Sequence, residues 1–288
     1  MIAAAGITKR AIRSHYDLAT PFYRLLWGPH IHHGLWDDAN HRLAPRDAQN
    51  RLTETLADLG RLRAGDHVLD VGCGMGGSAI HLAKSRGCHV TGVTLSGLQR
   101  RWARTAAWCQ GVATTTEFRR ADVETEAFAP ESFDVVWSIE CTEHLADKLR
   151  FFERAAAWLR PGGRVAICAW LAAEDAADSV EKRRQVEQVC TAFLCPSLGS
   201  FSDYSGWMQR AGLVVDGMHD WTARVARTWE LCESRIRAWG IDRLAPWIDP
   251  AQALFIDHFS TLLGAYRSGA MQYGCIVAHR PPSPTVRT

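Results

Sequence analysis

The chain has 288 residues, 47% of them hydrophobic, and a formal net charge of +2. That supports one large α/β domain with insertions, or two small ones, around a sizeable core. The near-neutral charge leaves no footprint for nucleic acid or an anionic membrane surface, and no apolar window reaches the length of a membrane span. Nine cysteines fall singly, with no CxxC pair and an odd count. Reduced thiols in a cytoplasmic protein fit that usage, not a disulfide frame or a zinc site. Residues 1–13 hold no apolar run long enough for a signal peptide.

Residues 1–60 read as an N-terminal helical lid segment ahead of the first sheet strand. Tyr16, Phe22, Tyr23, Trp27 and Trp36 crowd residues 14–36, with His30, His32 and His33 among them. Such density before a cofactor fold is either a substrate wall or a satellite cluster that packs an N-terminal helix on the sheet. In the first reading Tyr16, Tyr23, Trp27 and His33 touch substrate. The histidines have no carboxylate or cysteine partner at ligand spacing, so no metal is expected. A segment outside the sheet caps its own domain or a neighbour's, which leaves a homo-oligomer open. Residues 43–59 form an amphipathic pattern that stops at Gly60.

Residues 67–71, His-Val-Leu-Asp-Val, read as a buried strand. Gly72, Gly74, Gly76 and Gly77 follow, then a helical pattern over 77–86. Strand, tight turn and helix place bare backbone beside unpaired N–H groups, a cofactor-binding arrangement. Gly72-x-Gly74-x-x-Gly77 formally matches the dinucleotide fingerprint, which would make a nicotinamide oxidoreductase. That fingerprint wants a carboxylate about 20 residues on, and the second strand ends instead at Val93-Thr94-Leu95-Ser96. The acid stands before the glycines, at Asp70. A carboxylate there would repel a pyrophosphate and suits the ammonium of S-adenosylmethionine.

Alternation continues with a strand at 88–93, a helix at 97–109, and strands at 115–119 and 133–138. A helix over 148–159 stops at Arg160-Pro161-Gly162-Gly163, and a strand follows at 164–170. This order predicts an α/β fold, a parallel sheet with helices on both faces and ligand at the carboxyl ends of its strands. Thr94, Ser96 and Gln99 there offer neutral hydrogen bonds to ribose hydroxyls, and Asp122 an acceptor for an adenine amino group. The plain alternatives are a helix cap for Ser96 and an ordinary turn for Asp122. Glu140 and His144 stand four apart, on one side if the segment is helical. His144 is the general-base candidate, against a capping or core histidine.

Residues 181–193 alternate charge with Val186, Val189 and Phe193 on one face. Trp229, Trp239, Trp247, Phe255, Phe259 and Tyr266 recur through 225–265. Each reads first as core; together they predict an apolar, aromatic-walled chamber for a hydrophobic small molecule. Its lid pieces are expected from 14–40, 172–200 and 221–270.

The stretches HIHHGLWD (30–37), VLDVGCGMGGSAIHLAK (68–84), GVTLSGLQ (92–99), FDVVWSIECTEHLADK (133–148) and LRPGGRVAICAW (159–170) carry a specific resemblance. The chain is similar to S-adenosylmethionine-dependent methyltransferases of the γ-tocopherol methyltransferase family. Sterol C-methyltransferases and cyclopropane-fatty-acid synthases are more distant relatives. The resemblance implies a Rossmann-like class I methyltransferase with a seven-stranded, mostly parallel sheet, an antiparallel last strand and helical lid insertions. Its organisation would be a cofactor-binding core over 61–171, a second half with lid insertions over 172–270, the last strand at 271–280 and a flexible tail at 281–288. Matching positions assign Asp70, Gly72, Cys73 and Gly74 to the methionine end, Thr94, Leu95, Ser96 and Gln99 to the ribose, and Asp122 and Val123 to adenine. Ser138 borders the cofactor, Glu140 and His144 face the reacting centre, and Trp170 and Trp229 join the substrate wall. One departure is Cys141-Thr142, where a Ser-Gly pair is common; the larger Thr142 is expected to reshape the site. With no transit peptide in the sequence, a plastid tocopherol role is not expected. The expected reaction is C-methylation of a phenolic, quinol or prenylated metabolite, with N- or O-methylation of an aromatic or alkaloid-like product as the alternative.

Overall fold

The structure, a computed structural model, describes residues 1–240 and 258–283. Its centre is a seven-stranded sheet. We number the strands β1 (His67–Val71), β2 (His89–Thr94), β3 (Thr116–Arg120), β4 (Phe133–Ile139), β5 (Leu159–Ala172), β6 (Val214–Asp220) and β7 (Met271–His279). Their spatial order is β3-β2-β1-β4-β5-β7-β6. The first five run parallel, and β7 lies antiparallel to both β5 and β6. The order reverses between β1 and β4, where their carboxyl ends part.

Successive strand residues point to opposite faces, and both faces are covered here. Val68, Val135, Trp137, Ala166 and Cys168 pack on one side, and Leu69, Val71, Val136, Val165 and Ile167 on the other. A strand buried on both faces needs an unbroken apolar run, which is why residues 68–71 read so clearly apart from Asp70. That buried acid is the exception that points to function.

The longer helices among the described residues are α1 (Lys9–Leu26), α2 (Pro45–Leu59), α3 (Gly77–Arg86), α4 (Gly97–Cys109), α5 (Lys148–Trp158), α6 (Val180–Ala192), α7 (Phe201–Arg210), α8 (Arg227–Trp239) and α9 (Phe259–Arg267). Helix α2 starts on Pro45, whose fixed φ suits a first turn. It buries Leu52, Leu56 and Ala57 against α3 and β5. Helix α1 packs on α4 and α8, so the N-terminal segment lies across the strand tips. Helix α6 buries Val186 and Val189 against α9, and Trp229, Phe259 and Tyr266 are buried beside them. Trp247, Phe255 and the side chain of Trp239 lie outside the described residues.

Two features differ from the sequence reading. The turn at Arg160–Gly163 does not precede the fifth strand but interrupts it: Phe133 pairs with Leu159 and Val135 with Arg164. Gly162, at φ 78°, makes the bend, and its N–H donates to Arg280 O at 3.0 Å. Ile2–Ala3 also pairs antiparallel with Ser197–Leu198, a two-residue match too short to carry a sequence period. No helix among the described residues is long and apolar enough to cross a membrane.

Candidate active site

The carboxyl ends of β1, β2 and β4 open into a cavity of about 740 Å³. Gly72, Gly74, Thr94, Leu95, Ser96, Gln99, Asp122 and Val123 line it, with Lys9, Ile12 and Tyr16 of α1 across the mouth. A second, inner cavity of about 500 Å³ lies behind it. Tyr23, Trp27, Trp170, Phe193 and Trp229 form its aromatic wall. Tyr16, Ile31, Glu140 and His144 belong to both and mark the junction.

Asp70 is the penultimate residue of β1, with 2% of its surface exposed. Its Oδ2 has no hydrogen-bond partner among the described residues, and burial pushes its carboxyl up to about 7. An orphaned carboxylate oxygen two residues before a cavity-lining glycine fits the ammonium end of S-adenosylmethionine. Gly72, at φ 75°, could carry no side chain: a Cβ would fall 2.3 Å from both Cβ and Sγ of Cys141. Gly72→Ala is therefore expected to cost more than about 2 kcal/mol of stability from clash and backbone strain. Chemical denaturation should show Cys141→Gly recovering the clash portion and leaving the strain.

Three residues assigned to the cofactor do not line the cavity. Cys73 turns its thiol into the sheet, close enough that a Cβ on Gly92 would meet its Sγ at 2.9 Å. Ser138 is fully buried and donates to Val71 O at 3.1 Å, tying β4 to β1. Asp70 sits beneath the wall instead of on it. The polar residues of β2 and α4 do line the cavity, but already bonded. Ser96 Oγ caps α4 by accepting from Gln99 N at 3.1 Å, and Thr94 donates to Gln99 Oε1 at 2.7 Å.

Helix α1 closes this side with contacts that no local pattern foretells. Lys9 Nζ binds Asp122 and, at 2.8 Å, Glu124. Asp17 accepts from the Ser96 hydroxyl. Lys9, Asp17 and Glu124 were not singled out in the sequence, because their partners lie up to 113 positions away.

At the junction, Glu140 adopts φ 54°, the left-handed region that a non-glycine residue rarely occupies. Its Oε1 accepts three hydrogen bonds: His33 N at 2.8 Å, His33 Nδ1 at 2.8 Å and Tyr273 OH at 2.7 Å. Burial pushes its carboxyl up, but the His33 ring and these bonds outweigh that and hold it below the ordinary value. His33 is thus no wall residue: Glu140 holds one ring nitrogen and the Trp229 indole donates to the other.

His144 closes a short turn, Thr142–His144. The helical-spacing argument that paired it with Glu140 does not hold, since Glu140 is the left-handed bend just after β4 ends at Ile139; the two meet at the junction by that bend. Its Nδ1 lies 3.0 Å from Leu194 O, which only accepts, so Nδ1 carries the proton. Nε2 is then the acceptor, and Tyr16 OH donates to it at 2.8 Å. Burial pushes its pKa down to about 4. Thr142 does not reshape the site: its hydroxyl pairs with Tyr204 OH at 2.6 Å, away from both cavities. Cys141 lines the outer cavity instead.

The sequence reading also passed over Glu143, which stands between the two singled-out residues and lines the inner cavity. Burial pushes its carboxyl up to about 8. The histidines His30, His32 and His33 are buried and bonded among themselves and to Ser78. Among the described residues no three His, Cys, Asp or Glu side chains are arranged to hold a metal.

Comparison with known proteins places this geometry. The family model described as mycolic acid cyclopropane synthetase matches residues 6–263. The 27-O-demethylrifamycin SV methyltransferase of Amycolatopsis mediterranei (strain S699) is 31% identical over 278 residues, covering 95% of this chain and 98% of that protein. The chloroplastic tocopherol O-methyltransferase of Arabidopsis thaliana is 28% identical over 300 residues, covering 97% and 86%. Among solved structures, the geranyl diphosphate C-methyltransferase from Streptomyces coelicolor A3(2), in complex with Mg²⁺, geranyl-S-thiolodiphosphate and S-adenosyl-L-homocysteine, superposes with a TM-score of 0.76. It is 22% identical and covers 96% of this chain and 99% of that one, which speaks for the shared fold.

Proposed function

Because the chain belongs to the mycolic acid cyclopropane synthetase family and is an S-adenosylmethionine-dependent methyltransferase, we propose that it methylates a hydroxyl group on a hydrophobic small molecule. The observation that carries this reading is the Tyr16–His144 pair at the junction of the two cavities. It presents a fixed-tautomer imidazole to whatever enters from the aromatic side. The curated relatives at about 30% identity, named for tocopherol O-methylation and for 27-O-demethylrifamycin SV, support a hydrophobic hydroxylated acceptor.

S-adenosylmethionine, when bound, supplies an electrophilic methyl group on a sulfonium. Asp70 would hold its ammonium, Gly72 and Gly74 admit the backbone close to it, Thr94 to Gln99 face the ribose, and Asp122 the adenine amino group. Across the junction, the Tyr16 oxygen accepts the substrate's hydroxyl proton as its own proton passes to His144 Nε2. A phenol ionises near 10 and His144 near 4, so full ionisation beforehand would be steeply uphill. The proton therefore leaves as the new bond to the acceptor forms, which is general-base catalysis in the transition state. Helix α1 excludes water from the outer cavity and the aromatic wall does so within, which preserves alignment.

A second reading, C-methylation of a phenolic, quinol or prenylated carbon, draws on Glu140. Its carboxylate and the surrounding aromatic faces would stabilise a cation left on the acceptor. Incubation with ¹³C-methyl-labelled donor and a panel of hydrophobic phenols, quinols, terpenoid alcohols and aromatic amines separates the two. An O-methyl resonance in the product is expected. A C-methyl resonance favours the second reading, and transfer only to amines refutes both.

A further inference from the structure

Two residues that line the inner cavity each carry a buried polar atom that the methyl transfer does not use. Glu143 is 2% exposed and Trp170 8% exposed, and both line that cavity. Glu143 Oε1 accepts from the backbone N–H of Trp170 at 2.5 Å. Glu143 Oε2 and Trp170 Nε1 have no hydrogen-bond partner among the described residues. The nearby cation is already engaged: Lys148 Nζ donates to Leu145 O at 3.0 Å and to Ser197 Oγ at 2.8 Å. Buried polar groups are ordinarily paired, and leaving two unpaired on the lining of one chamber needs a reason.

We infer that Glu143 and Trp170 form an oxygen-recognition subsite, which selects substrates carrying a second hydroxyl or carbonyl oxygen remote from the methylated group. The indole N–H is a donor only, so its partner must accept. An ammonium cannot accept and would leave the indole orphaned. A hydrocarbon would leave both groups orphaned. A carbonyl oxygen accepts from the indole and from the Glu143 acid, and a hydroxyl accepts from the first while donating to the second. In an apolar chamber with no cation bonded to it, Glu143 is the neutral acid, which supplies that donor. The inference rests on the proposed hydroxyl reading and narrows it to dioxygenated molecules, such as quinols or hydroxyketones.

Calorimetric titration of the full chain, saturated with S-adenosylhomocysteine, tests it without turnover. The probes are 6-acetyl-2-naphthol, its isostere 6-isopropenyl-2-naphthol, and 6-(1-aminoethyl)-2-naphthol. The ketone is expected to bind about 10–100-fold tighter than the alkene, since a site built for an oxygen rejects the analogue lacking it. Trp170→Phe, which keeps the ring and removes the N–H, should cut that preference several-fold. Glu143→Gln should keep it and Glu143→Leu abolish it; if the leucine variant does not fold, Trp170→Phe and Glu143→Gln decide. Equal affinities in the wild type, no binding of either neutral probe, tighter binding of the amine, or a preference that survives Trp170→Phe overturns the subsite. The hydroxyl reading fails separately. A wild type that prefers the ketone, alongside a His144→Ala variant that turns over normally, refutes that reading and leaves the subsite standing.

Discussion

Asp70→Asn is expected to abolish the response to cofactor: the affinity for S-adenosylhomocysteine should fall by about 2–5 kcal/mol, the cost of removing one member of a buried charge pair. The carboxylate is the one buried acid in β1, and its Oδ2 has no partner among the described residues to replace a ligand ammonium. Its ionisation sets a pH signature. Burial alone pushes it to about 7, so below that pH the ligand-free protein must lose a proton to bind. Affinity should fall about tenfold per pH unit below 7, and fall again at alkaline pH once the ligand's α-amino group deprotonates. Asparagine removes the acid limb. The same ionisation works against the ligand-free fold. Between pH about 4 and 7 the folded protein keeps a proton that the unfolded chain has lost, so stability declines with rising pH and levels off above 7. Three units correspond to roughly 4 kcal/mol. Ligand-free Asp70→Asn should therefore melt several degrees higher than wild type at pH 8, and alike near pH 4. Unchanged affinity in calorimetry would remove Asp70 from the cofactor site.

What could be read without coordinates follows from how local each signal is. The strand of residues 67–71, its glycines and the helix after them form one continuous unit whose period, turn chemistry and acid all lie within twenty residues, and the structure reproduces it. The seven-stranded sheet with its antiparallel β7 came through the resemblance; strand alternation alone gave only the parallel half. The aromatic wall was visible as composition, since Tyr16, Tyr23, Trp27, Trp170 and Trp229 all reach the inner cavity. His33 shows the limit. Its aromatic neighbours placed it on the wall, but its partners are Glu140 at 107 positions and Trp229 at 196 positions along the chain. Ser138 and Cys73 do not line the cavity, for a related reason: a strand or turn residue has two directions to face, and motif position alone does not say which. Glu143 was hidden by the four-residue spacing of its neighbours, a helical argument applied where the backbone turns at a left-handed glutamate. Lys9 and Asp17 had no signal at all, because a helix laid across a sheet chooses its contacts only after both have folded.

His144→Ala should lower turnover by about 10²–10⁴-fold, the range for a positioned general base, while leaving S-adenosylhomocysteine affinity within about twofold of wild type, since Asp70 and the glycines remain. The two readouts separate this role from a structural one: a histidine that merely filled the junction would disturb cofactor binding, substrate affinity and stability together. The pH dependence gives a sharper test. An ordinary histidine would stop accepting protons below about 6.5, whereas burial holds this one near 4. At saturating cofactor, which removes the Asp70 effect, kcat should run flat through pH 6.5 and fall only as the pH approaches 4. Tyr16→Phe should give an intermediate loss, because Nε2 is then open to the substrate directly but no longer oriented by the phenol. An inflection at 6.5 that disappears in His144→Ala would mean the ring is solvated during turnover, so that helix α1 does not stay closed over the junction. Full activity in His144→Ala would refute the hydroxyl reading and favour the second one, which draws on Glu140, a side chain at that boundary already held in its ionised form.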